Sequence, residues 1–153
     1  MNCEENICTI CYNDNESHSF YKINNIQKMN IPYILRTYND ILEFSTLSFY
    51  YTCPSKSKKY YDKDGIINHF ENLLNFNNEN KWIWIFDGNG FELKHSLQLQ
   101  TAIAITKIIS SKYKKSLKNI IIINSSWHLQ NALNLLWVFL DDHLKSLIII
   151  DNI

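Results

Sequence analysis

The stretch Trp82-Ile83-Trp84-Ile85-Phe86-Asp87-Gly88-Asn89-Gly90 decides the reading of this sequence. An unbroken run of β-branched and aromatic residues suits a strand buried on both faces, and the Asp-Gly-Asn-Gly after it stops that strand in a turn. A second such run, Ile120 to Ile123, sits in a strand expected over 119–124. Between the two, residues 96–111 place Ala102, Ile105, Ile108 and Ile109 on one helical face, with Gln98, Gln100 and Lys107 elsewhere and Ser96 as the expected N-cap. Residues 112–118 read as a basic linker. Downstream, Ser125 or Ser126 caps a second helix in which Leu129, Leu133, Leu136 and Leu140 recur at helical spacing. That helix is expected to end near Leu140, since Asp141 and Asp142 sit badly at its negative end. Residues 147–151 form the last strand. Strand, helix, strand, helix, strand predicts right-handed crossovers and an α/β fold, a largely parallel mixed sheet flanked by helices.

Working upstream, Ile67, Phe70, Leu73 and Leu74 predict a helix over 66–76, and residues 53–65 have loop composition. Residues 1–80 are otherwise less patterned. The apolar spacing over 31–51 suits a helix better than strict alternation, and residues 7–12 suit a strand. The whole chain, 1–153, is expected to be one domain.

Composition narrows the functional classes. With 15 basic and 15 acidic side chains the formal net charge is zero and the pI about 6.9, so long-range attraction to nucleic acid is absent. Only 3 glycines are present, which excludes the glycine-rich phosphate loops of mononucleotide and dinucleotide sites. The N-terminus is acidic and polar where a secretion signal needs a basic start and an apolar run. No apolar stretch approaches the roughly 20 residues of a membrane span. A cytoplasmic, reducing setting is the expectation for its 4 cysteines.

The residues that look like chemistry are few. Cys3, Cys8, Cys11 and His18 can be drawn as one tetrahedral zinc site, though small thiols in a strand over 7–12 are the favoured account and no metal is expected. Cys53 with His69 or His128 lacks any local feature that would activate a thiol. Asp87 and Asn89 fall short of a calcium loop, because Phe91 and Glu92 stand where an oxygen ligand and a glycine are required. No catalytic residue and no cofactor are expected.

The ordered pieces after Trp82 resemble the CRAL-TRIO lipid-binding family. They are WIWIFDGNG, a helix, the Tyr-plus-basic linker YKKSLKN, the strand IIIIN, the following SSW, the apolar helix ending WVFLDDHLKS and the closing LIIID. The resemblance covers residues 82–151. It lacks the family's upstream helical region and its Gly-rich ending, and Ser116 stands where a proline is typical. It implies reversible, non-enzymatic binding of a phospholipid or other hydrophobic molecule, lipid transfer, and peripheral docking on a membrane. The helix from Trp127 to Leu140 corresponds to the family's mobile gate. Read from its residues, that helix is apolar nearly all round, and so is either buried or in contact with lipid.

The expected lipid-contacting set is Trp84, Phe86, Ile121, Ile123, Trp127, Leu129, Leu133, Leu136, Trp137 and Leu140. Lys112, Lys114, Lys115 and Lys118 are the candidates for a headgroup or membrane surface, with a solvated linker as the plainer account. The alternative function is a protein-interaction module on a shortened fold without a usable cavity.

Overall fold

A computed structural model describes residues 17–151. Its centre is a five-stranded sheet whose spatial order follows chain order: β1 (Tyr21–Ile23), β2 (Ser48–Thr52), β3 (Trp82–Asp87), β4 (Leu117–Ile123) and β5 (Ile148–Ile150). β1 runs antiparallel to β2, and every later pair is parallel.

Between β1 and β2 the chain forms two short helices, α1 (Pro32–Thr37) and α2 (Ile41–Ser45). This segment covers one face of the sheet. Ile26, Ile31, Ile34 and Tyr38 pack there on Phe49, Tyr51, Ile83, Ile85, Ile121 and Ile123. It is pinned at the far side: the Tyr38 hydroxyl donates to Asn119 Oδ1 at 2.5 Å, and the Tyr33 amide to Asp151 Oδ2 at 2.8 Å.

The opposite, front face carries the parallel crossovers, each of which needs a long connection. The first is α3 (Lys63–Phe76), whose N-cap Asp62 accepts from the Gly65 amide. The second comprises α4 (Leu93–Ser96) and α5 (Leu99–Ile108), prolonged by a π-helical turn, Ile109–Tyr113. The third comprises α6 (Trp127–Trp137), capped by Ser126, and α7 (Asp142–Leu147), capped by Asp141. The front core joins Phe70, Trp82, Trp84, Ile109, Ile120 and Leu144.

Several elements differ from expectation. Residues 31–51 hold two short helices and then the buried strand β2, because the aromatic pair Tyr50-Tyr51 has partners on both sides of the sheet: Tyr50 stacks on Phe20 at 4.9 Å, while Tyr51 packs at the back. Ser96 does not cap the long helix; it closes α4, its hydroxyl donating to the Leu93 carbonyl. The basic linker shrinks, since helical structure continues to Tyr113 and β4 already begins at Leu117. Pairing slips by one residue at Lys118, where Trp82 faces Leu117 but Ile83 faces Asn119. This bulge lets Leu117 and Ile120 share the front face.

The turns after β3 and β4 lock together at the C-terminal edge of the sheet. Buried Asp87 accepts from the Tyr51 hydroxyl at 2.5 Å, and through its other oxygen from the Asn89 amide at 2.9 Å and Asn124 Nδ2 at 3.0 Å. Burial, and then this hydrogen bond, push the Tyr51 phenol well above its ordinary pKa. The Gly88 amide donates to the Ile123 carbonyl at 2.8 Å. A Cβ on Gly88 would come within 2.6 Å of both Asn124 O and Leu129 Cδ2, so glycine is what lets the β3 turn approach α6. Replacing Tyr51 with Phe leaves a buried carboxylate oxygen without its donor. The expected loss is about 1–3 kcal/mol of unfolding free energy, read as a lower urea midpoint at unchanged slope.

Candidate functional site

A cavity of about 190 Å³ lies between the front face of the sheet and α6. The sheet contributes Trp84, Phe86, Ile120, Ile122 and Ile148. Its α6 wall is Leu129, Ala132, Leu133 and Leu136, continued by Leu140. Ala102 and Ile105 of α5 close it from the side. Among the described residues no Asp, Glu, Lys or Arg lines it.

The pleat explains which residues reach it. Strand neighbours in register share a face, and Trp84 pairs with Ile120 and Phe86 with Ile122. Ile121 and Ile123, expected here from the sequence, therefore point the other way, into the core beneath α1. A run of four isoleucines carries no phase of its own; the register supplies it.

The rest of the expected set divides by helical face. Leu129, Leu133, Leu136 and Leu140 line the cavity together with Trp84 and Phe86. Trp127 and Trp137 do not; Trp127 is 71% exposed, and Trp137 is 38% exposed with Lys145 Nζ 5.8 Å above its ring. Leu135, Val138 and Phe139 are exposed as well. So α6 presents one apolar side to a cavity and another to solvent. Of the lysines, Lys112 is paired with Glu71 at 2.8 Å and Lys114 approaches Asp141 at 3.8 Å. Lys115 is exposed and Lys118 half-buried in the bulge.

Polar lining comes from His18, the end of β2 and the loop after it, and α4–α5, and part of it is already committed. Thr52 Oγ1 accepts from Trp84 Nε1 at 2.8 Å, the Ser57 hydroxyl donates to the Ser17 carbonyl, and Thr106 bonds back to Ile103. His18 Nε2 pairs with Asp62 Oδ2 at 2.9 Å, while its Nδ1 is buried without a partner. A Cβ on Gly65 would lie 2.1 Å from Asp62 Oδ2, so that pair depends on glycine.

His95, not singled out from the sequence, is the most constrained polar group of the wall. It is 7% exposed. Its Nδ1 accepts the Glu92 amide at 2.9 Å, and its ring lies between Tyr60 at 4.9 Å and Phe91 at 5.4 Å. Burial, and secondarily Lys94 next to it, hold its pKa below the ordinary value.

The other sequence candidates stay apart. Cys53 is buried at the back and His69 sits in α3 at the front, its Nε2 2.7 Å from the Phe20 carbonyl. Cys3, Cys8 and Cys11 lie outside the described residues. Among the described residues there is no group of three or more His, Cys, Asp or Glu that could hold a metal ion, and no helix long and apolar enough to cross a membrane.

The family model for the CRAL/TRIO domain matches residues 57–153. The chain belongs to the CRAL/TRIO family. Domains of this family generally bind lipids or other hydrophobic small molecules and are typically not enzymes. Among solved structures, the crystal structure of Sfh5 matches with a TM-score of 0.58 at 12% identity, over 67% of this chain. That likeness is one of fold. The chain spans 42% of the length of the Sfh5 chain. No curated protein matches.

The depressed histidine sets a sign for acid stability. With its folded pKa below the ordinary value of 6.5, His95 contributes stability that is full above that value and is lost as pH falls toward the folded one. Asp62, held low chiefly by His18, and Asp141, held low chiefly by the Leu144 amide, lose theirs only below 3.8. Thermal stability should therefore begin to fall just below about pH 6.5, and His95→Phe should flatten that upper limb while leaving the carboxylate limb in place.

Proposed function

We propose that this CRAL/TRIO chain binds one hydrophobic molecule reversibly in the cavity beneath α6, without covalent chemistry. The observation that carries this reading is α6 itself. Leu129, Leu133 and Leu136 face a space the sheet does not fill, where an ordinary core helix would be packed shut. Apolar burial supplies the affinity, at roughly 0.8 kcal/mol per CH2 group. About 190 Å³ is below the roughly 300–1,000 Å³ of drug-sized pockets, which favours a small or single-chain ligand over a two-chain phospholipid. The uncharged lining points the same way, because an ionised headgroup would be buried without a countercharge.

The outer side of α6 supports peripheral docking. Trp127, Leu135, Val138 and Phe139 form an apolar surface next to the amphipathic Trp137, and tryptophans favour the membrane–water boundary. Of the four lysines assigned to a headgroup, Lys112 and Lys114 are drawn into intramolecular pairs, which leaves Lys115 and Lys118 as the better candidates.

Native mass spectrometry of protein purified from cells without a delipidation step tests the ligand reading. A bound hydrophobic molecule is expected, and Ala132→Trp, which fills the cavity, should remove it while leaving the circular dichroism spectrum unchanged. A ligand-free mass for the unaltered chain would count against cavity binding. Docking is tested separately by co-sedimentation with phosphatidylcholine–phosphatidylserine vesicles. The double change Val138→Asp and Phe139→Asp should abolish co-sedimentation and spare the cavity ligand; unchanged partitioning would assign that surface to a protein partner.

A further inference from the structure

We propose that the lysine-rich loop after β2 is a docking surface for an acidic peptide, and that its occupant is the chain's own segment 1–16, which precedes the described residues, bound in cis. This goes beyond ligand binding and holds whether or not the cavity carries a molecule.

The charges are separated along the chain. Residues 1–16 carry four of the 15 acidic side chains, Glu4, Glu5, Asp14 and Glu16, and none of the 15 basic ones. The zero net charge therefore divides into −4 for this segment and +4 for the remainder. Within the remainder, Lys56, Lys58, Lys59 and Lys63 fall inside eight residues, and all four are exposed. Lys94 joins them from α4, its Nζ 5.5 Å from the centre of the Tyr60 ring. Of the acids in the same stretch, Asp62 is engaged by His18 and the Gly65 amide, which leaves exposed Asp64 against the lysines.

The fold delivers the segment to this loop. Ser17 O accepts the Lys59 amide at 2.8 Å and the Ser57 hydroxyl, His18 Nε2 meets Asp62 Oδ2 at 2.9 Å, and Ser19 Oγ accepts the Cys53 amide at 2.9 Å. Glu16 is thus joined to a residue whose own carbonyl rests on the backbone of Lys59. A segment tethered at its docking surface meets it at a high effective concentration, so ion pairs that are weak singly act together, and a foreign acidic peptide must displace a partner that cannot diffuse away. The apolar side chains match as well. Ile7, Ile10 and Tyr12 lie among the acidic residues, and the surface offers Tyr61, 61% exposed beside Tyr60, with Leu93 and Leu97 exposed one turn apart on α4.

Carbodiimide coupling of the unaltered chain, which joins a carboxylate to a lysine only where the two touch, tests the assignment, with the linked peptides read by mass spectrometry. Glu16 is left out of the count, since its bond to Ser17 brings it to Lys59 in any case. Coupling of Glu4, Glu5 or Asp14 to Lys56, Lys58, Lys59 or Lys63 is expected in about 20 mM sodium chloride, falling by about fivefold or more in about 500 mM, where screening is several times shorter in range. Lys58→Glu with Lys63→Glu should abolish links to those two positions, and adding Glu4→Lys and Asp14→Lys should restore links from positions 4 and 14 to 58 and 63. An equal mixture of nitrogen-15-labelled and unlabelled chains separates the sources. Docking in cis gives links of unmixed isotope; mixed links would assign the surface to a second copy and overturn the cis occupant. Absence of links from positions 4, 5 and 14, or links spread evenly onto Lys107, Lys115 and Lys118, would overturn the docking surface itself.

Discussion

Everything in this architecture follows from the identity of spatial and sequential strand order. Because β2, β3, β4 and β5 are parallel and laid down one beside the next, every connection must cross in the same sense, and all the crossover helices fall on the front. A sheet of Phe, Tyr, Trp and Ile cannot leave its other face in water. The segment between β1 and β2 covers it, with α1 laid across Ile83, Ile85, Ile121 and Ile123. The division of labour is strict: a tightly closed back, and a front on which helices meet the sheet at unequal depth.

The unequal depth makes the cavity. At one end α6 is drawn in through Leu129, which sits over Gly88, and at the other through Leu140, packed with the front core. Between these points Ala132, Leu133 and Leu136 line the cavity. The helix is held like a beam on two supports, with space beneath its middle. Under it Thr52, Ser57 and Thr106 are already bonded to Trp84 or to backbone, while His18 Nδ1 is buried without a partner.

Much of the second half was legible in the sequence because the strands there are continuous apolar runs closed by turn residues. Trp82 to Phe86 and Ile120 to Ile123 sit in strands as expected, and Ser126 caps α6; Asp141, read only as a stop for that helix, caps the next one. Phase was not legible. Ile120 to Ile123 are chemically identical, so only pairing with Trp84 and Phe86 decides that Ile120 and Ile122 face the cavity and their neighbours the back. β2 was hidden because Ser48 and Thr52 flank only three aromatic residues, and its strand character comes from being sandwiched between β1 and β3. His95 was invisible for a similar reason. Its role depends on Tyr60, distant in sequence, and on an amide three residues before it, and neither leaves a periodic trace.

The strap across the back ties early residues to late ones. Tyr33 reaches Asp151 and Tyr38 reaches Asn119, separations of 118 and 81 residues. Closure of the back core must therefore wait for the last strand, and loops of that span slow folding because their entropy is lost before their contacts form. On the ribosome, the covering segment and the aromatic β2 are made long before Asn119 and Asp151, the residues that pin that cover, exist. Until that last strand pairs, the apolar faces of β2 and β3 are incompletely covered, and the partly made chain is most prone to associate with other chains.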